Sequence, residues 1–187
     1  PVIKSEAEEL RSAGAKLVII TAHAGGKCTE FEDPSDLSSC VENAEIFAVA
    51  RALPAGLVDH INAGHAHNGI AHVVNGISIT SSYSSTRAFS RVDFSIDRKS
   101  GEVLGRRVHP PHRNAIGTQY EGRTIQPDPA VMAIADRARQ LAKDQKEKRL
   151  GIHLETPFTR QGNPESGLGN LFTDALLQST GVDVAIH

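Results

Sequence analysis

Three histidines carry the chemistry this sequence offers. His65 and His67 stand two apart in Gly64-His65-Ala66-His67, directly after the apolar run 57–63. His23 follows the β-branched run 17–21 and precedes Gly25-Gly26. In an extended segment, side chains i and i+2 point to the same side. The spacing therefore predicts that His65 and His67 converge where a strand ends, with Gly64 allowing a sharp turn. Imidazole is the commonest metal ligand at neutral pH. A histidine at the exit of a buried strand lies where open α/β sheets place their sites. Each histidine alone has a plain alternative, a surface polar residue or a strand-closing ring bonded to a carbonyl. Together, His23, His65 and His67 are expected metal ligands.

The elements that must position them follow from periodicity and turn chemistry. Residues 5–13 read as a helix that Gly14 stops. Residues 17–21 read as a buried parallel strand. A helix is expected over 42–53, with Ile46, Phe47, Val49 and Ala50 facing inward and Pro54 ending it. Residues 58–63 form the strand that delivers the His pair. Asn75-Gly76 between residues 71–74 and 77–81 is a strong hairpin signal. Further strands are expected over 89–96 and 103–108. The Ser-rich loop 81–85 sits between strands, where Tyr83 and Arg87 read as surface residues with substrate contact as the alternative. Residues 109–126, with their Pro and Gly, are the best linker candidate. A helix follows from an Asp128 N-cap with Pro129 at N1, then a short strand over 151–158 and a helix over 165–179.

Composition narrows the function classes. The chain of 187 residues has 20 basic and 22 acidic side chains, a net charge of −2, so no broad basic field exists to attract nucleic acid. No apolar run is long enough for a membrane span. Aromatics are only 4% and Trp is absent, so packing rests on Ala, Val, Ile and Leu, which suits an α/β sheet. Cys28 and Cys40 flank one polar loop. Their even count and shared loop favour a disulfide and an oxidising compartment, periplasmic or secreted, over two free thiols in a reducing one. Ligation of metal by both cysteines with His23 does not fit zinc-knuckle spacing.

The strand-then-His23 pattern, Val58-Asp59-His60-Ile61-Asn62-Ala63-Gly64-His65-Ala66-His67, and Val74-Asn75-Gly76-Ile77 together resemble the second half of a calcineurin-like metallophosphoesterase domain. Glu165-Ser166-Gly167-Leu168-Gly169-Asn170-Leu171-Phe172-Thr173-Asp174-Ala175 resembles the opening of a 5'-nucleotidase C-terminal domain. The order is that of the bacterial 5'-nucleotidase/UDP-sugar hydrolase group. The resemblance implies an α/β fold: the C-terminal half of a metallophosphoesterase α/β sandwich over 1–112, a linker over 113–127, and the beginning of the α/β C-terminal domain over 128–187. It implies a phosphoric monoester hydrolase that converts a nucleotide to a nucleoside and phosphate. Two divalent ions of the Zn, Mn, Co or Mg class would serve it, with His23 and His65 on one and His67 on the other. Arg160 would meet the substrate's phosphate or carboxylate groups.

The family's Asp-x-His, bridging Gly-Asp and Gly-Asn-His motifs do not occur in this sequence. Asp33, Asp36 and Asp59 sit in none of them. The chain is therefore expected to be an internal piece whose catalytic residues lie upstream, and to be inert alone. His60 reads as a satisfied structural histidine and His72 as a surface one. The alternatives are a related hydrolase of a 2',3'-cyclic nucleotide, UDP-sugar or thiosulfate ester, and a non-catalytic binding module on the same scaffold.

Overall fold

Asn75 and Gly76 both adopt positive φ, 51° and 74°, as a tight two-residue hairpin turn requires. They join β3 (Gly69–Val74) to antiparallel β4 (Ile77–Ser82). Asn75 also donates its amide to the Leu53 carbonyl at 2.7 Å, which fixes the turn to the end of a helix. In the computed structural model, residues 2–159 and 166–186 are described. The chain divides into two compact units, Pro1–Pro127 and Asp128–His187.

In the first unit, α1 (Val2–Ser12) leads into β1 (Ile19–Thr21), α2 (Glu45–Ala52) and β2 (His60–Asn62). The sheet order is β1-β2-β4-β3, with β1, β2 and β4 parallel and β3 antiparallel. Ile46, Phe47 and Ala50 of α2 pack with Val18, Val58, Ile61, Ile70, Val74, Ile77 and Ile79 into one core. The other β4 face, with Ser78 and Thr80, takes β5 (Ala88–Ile96) and β6 (Val103–Arg113), a long antiparallel pair. The fold class is α/β, as the sequence predicts.

Three expectations need correction. The strand at 19–21 is parallel but lies at the sheet edge, so Ile19 is 48% exposed while Val18 just before it is buried. β6 runs on through Pro110 and Pro111 to Arg113, and β7 (Gln119–Tyr120) pairs with β8 (Arg123–Thr124) inside the stretch read as a linker. Proline is tolerated there because β6 pairs on one side only.

In the second unit, α3 (Pro129–Lys146) is capped by Asp128, whose carboxylate accepts from the Ala130 and Val131 N–H groups. α4 (Gly167–Thr180) is capped by the Ser166 hydroxyl and closed by left-handed Gly181. The third correction falls here. Residues 151–158 form no strand, because no partner strand exists among the described residues of this unit. The apolar stripe of α3 stays open, with Val131 and Ile134 exposed.

Candidate metal centre

Because β1 and β2 are parallel and paired Thr21 to Asn62, their exits lie side by side. Backbone hydrogen bonds lace the exits together. Ala22 N–H donates to the Asn62 carbonyl (2.9 Å), Ala63 to Thr80 (2.8 Å) and Gly64 to Ala24 (3.1 Å). Gly25 lies against the Gly64-to-Ala66 turn, and its carbonyl accepts from Ile46 N–H in the first turn of α2. The result brings His65 Nδ1 to 3.0 Å from His23 Nε2, with the rings edge to face at 4.8 Å between centroids. Both rings are exposed to an incoming ligand.

The backbone that presents His65 and His67 differs from the extended geometry expected of them. Both are left-handed, with φ of 68° and 54°. The turn is tightened by Ala66 N–H to the Gly64 carbonyl (2.8 Å) and by the Asn68 amide to the Ala66 carbonyl (2.7 Å). Tyr83, Ser85 and Thr86 on the neighbouring loop are left-handed too, and Tyr83 N–H reaches the Asn68 carbonyl. Each such residue costs on the order of 1–3 kcal/mol, and strain of this kind collects at functional sites.

The structure brings two of the three predicted ligands together. Among the described residues, the set of three His, Cys, Asp or Glu ligand atoms lying within 4.8 Å of one another is Cys28, Cys40 and His72, so His67 does not complete the His23–His65 pair. Two nitrogens bound to one tetrahedral ion at ordinary zinc distances lie about 3.3 Å apart. The His23–His65 pair therefore fits one ion after a small ring rotation. Among the described residues the donors do not fit a second ion beside it, since no carboxylate of theirs joins the pair to offset the charge. Arg160 lies outside the described residues.

Other polar residues settle into structural roles. Asp59 accepts from Arg11 Nη2 and from the Val18 N–H, each at 2.7 Å, tying α1 to the roots of both His-bearing strands. Asp33 and Asp36 cap their own loop through Ser35 and Ser38, which lowers their pKa values. His60 is buried and bonded to the Ser78 hydroxyl and the Asn62 amide oxygen, and desolvation lowers its pKa. His72 corrects the surface reading. It is fully buried, beside the Cys28–Cys40 disulfide and the Phe31 ring. Gly25 and Asn68 are the residues sequence reasoning passed over. The signal for both was adjacency, one in the glycine pair after His23 and one directly after His67.

No family model matches the chain. It is 26% identical over 196 residues to the cell wall protein Lmo0130 of Listeria monocytogenes, an alignment covering 98% of this chain and 24% of that protein. The chain thus spans about a quarter of the length of that curated relative. Among solved structures, it is similar to the Thermus thermophilus sulfate thiohydrolase SoxB in complex with glycerol. That match has 18% identity and a TM-score of 0.46, and covers 96% of this chain and 28% of that one.

Proposed function

We propose that this chain is part of a metal-dependent phosphoester hydrolase of the 5'-nucleotidase type, acting on a small phosphate ester, a nucleotide by first preference. The observation that carries the reading is the 3.0 Å approach of His23 Nε2 and His65 Nδ1 at the paired exits of β1 and β2. The Gly-His-x-His and Glu-Ser-x-Leu-Gly-Asn-Leu runs, in this order, support it. Divalent ions in such a centre activate water and neutralise charge on phosphoryl oxygens.

In this reading His23 and His65 would hold one ion, and His67 would serve a second together with donors other than those the described residues bring to the pair. Asn68 and Gly25 fix the loop so that the imidazoles need not reorganise. Arg160 takes the substrate's anionic group. Residues 1–112 belong to the metal-bearing domain and 128–187 to the substrate-binding one, joined by 113–127, in which β7 and β8 pair. The Listeria relative's name, a cell wall protein, and the Cys28–Cys40 disulfide support an extracytoplasmic home, periplasmic or secreted.

The test uses the full-length protein, stripped of metal and resupplied with Mn, Zn, Co or Mg. Nucleoside 5'-monophosphate, 2',3'-cyclic nucleotide, UDP-sugar and thiosulfate ester are offered in turn. Turnover of the monophosphate that chelator abolishes and metal restores is expected. Preference for another ester moves the assignment to a related hydrolase. Metal binding without turnover of any ester favours the non-catalytic module.

A further inference from the structure

A second set of metal-ligating groups lies apart from the His23–His65 pair. A ring nitrogen of His72 and the sulfurs of Cys28 and Cys40 all lie within 4.8 Å of one another. His72 is fully buried and Cys28 is 4% exposed. The His72 Nδ1 accepts from the Ala71 N–H at 3.3 Å, and its Nε2 has no hydrogen-bond partner. The carbonyls of Glu30 and Asp36 face the ring without reaching bonding geometry. A buried imidazole nitrogen without a well-formed hydrogen bond is costly, and here the ring stands beside two sulfurs.

The loop that carries the two sulfurs is also held by backbone hydrogen bonds. Cys28 N–H donates to the Gly69 carbonyl on β3 (3.1 Å), and Val41 N–H to Lys27 (2.9 Å). Cys40 N–H donates to Leu37 (3.0 Å), and Val73 N–H to Pro34 (2.7 Å). These bonds tie both ends and the middle of the loop independently of the disulfide.

We propose that Cys28, Cys40 and His72 form a redox-gated metal site, closed while the disulfide stands and open to one zinc-class ion once it is reduced. A dithiol reductant supplies two electrons and two protons, converting the disulfide to two thiols as the reductant becomes a disulfide. Binding of the dication displaces those two protons. Two thiolates and a neutral imidazole around a dication make a site of zero net charge, which a buried position tolerates. Thiolate and imidazole donors at these distances select zinc-class ions over magnesium or calcium. Three protein ligands leave the fourth tetrahedral position for water or a further donor.

Cobalt(II) is the probe, in full-length protein carrying His23→Ala and His65→Ala so that the exposed pair is silent. After reduction, one further cobalt per chain over the oxidised protein is expected, with a thiolate-to-cobalt charge-transfer band that the oxidised protein lacks. Cys40→Ser should remove the band. His72→Phe should weaken binding by more than about tenfold, the loss that removal of even an outer-shell partner can cause. Should His72→Phe not fold, X-ray absorption of the zinc-loaded reduced protein must show two sulfur neighbours and imidazole scattering. The proposal is overturned by absence of the band when labelling shows both thiols free. Loss of the fold on reduction overturns it too, as does cobalt affinity unchanged in folded His72→Phe or zinc scattering without imidazole.

Discussion

Gly25 and Ala66 touch so closely that a Cβ on Gly25 would sit 2.5 Å from the Ala66 Cβ and 2.7 Å from the Gly64 carbonyl oxygen. The loops bearing His23 and His65 thus meet backbone to backbone. Gly25→Ala must push the Gly64-to-Ala66 turn away and part the two imidazoles. Overpacking of this kind costs about 1–3 kcal/mol. Calorimetric titration with Zn²⁺ and thermal melts of the full-length protein should show both weaker metal binding and a lower Tm. Wild-type affinity in a variant of wild-type Tm would mean that the contact does not set the pair.

His23→Ala and His65→Ala should each lower metal affinity by about 100-fold or more, the upper range for disturbing a metal's supporting shell, and hydrolysis should fall with it. His60→Gln should leave metal affinity near wild type, since His60 is spent on Ser78 and Asn62. Equal losses in all three variants would show that structural and ligating histidines have been confused.

Stability should fall on mild acidification. Burial lowers the folded-state pKa of His60 below its ordinary value near 6.5. Above that value the ring is neutral in both states and nothing is lost. As pH falls from about 6.5 toward the lower folded value, the unfolded chain binds the proton first and stability declines. His72 is shifted the same way for the same reason. Urea midpoints measured between pH 8 and pH 5 should trace this slope, and His60→Gln should flatten part of it. A slope identical in the variant would assign the effect elsewhere.

The Cys28–Cys40 bond closes a loop with a sequence separation of 12. Chain-entropy arguments give a crosslink of that size about 3 kcal/mol. Replacing both cysteines by serine should lower the urea midpoint accordingly. In protein made in an oxidising compartment, thiol labelling under denaturing conditions without reductant should find neither cysteine free. Full labelling of both would remove the main support for an extracytoplasmic home.

What was legible in the sequence was local. Asn75-Gly76 wrote the hairpin through turn chemistry, and the run before His23 wrote a strand exit. Asp128 and Ser166 announced helix starts through their side chains. What escaped depended on distant parts of the chain. His72 reads as surface within its own strand. It is buried because the 28–40 loop, 32 to 44 residues upstream, folds over that face of β3. The left-handed backbone at His65 and His67 follows from where the next strand must go, which periodicity does not encode. Residues 151–158 have strand-like composition, yet a strand exists only where another pairs with it.

The sheet order has a consequence in time. The chain leaves β2 and reaches β3 before β4 exists, yet β4 finally lies between them. The six residues from Ala63 to Asn68 must therefore arch across a position that is filled later, from below, by the hairpin's second arm. Ala63 N–H donates to the Thr80 carbonyl on that arm, and Tyr83 N–H at its exit reaches back to the Asn68 carbonyl. Non-local pairing of this kind is slow to form. A nascent chain that has emitted residue 70 holds both imidazoles but lacks the Thr80 and Tyr83 bonds that hold their loop to β4. If the His23–His65 pair takes up metal as proposed, uptake comes late in maturation, after the central strand has been inserted.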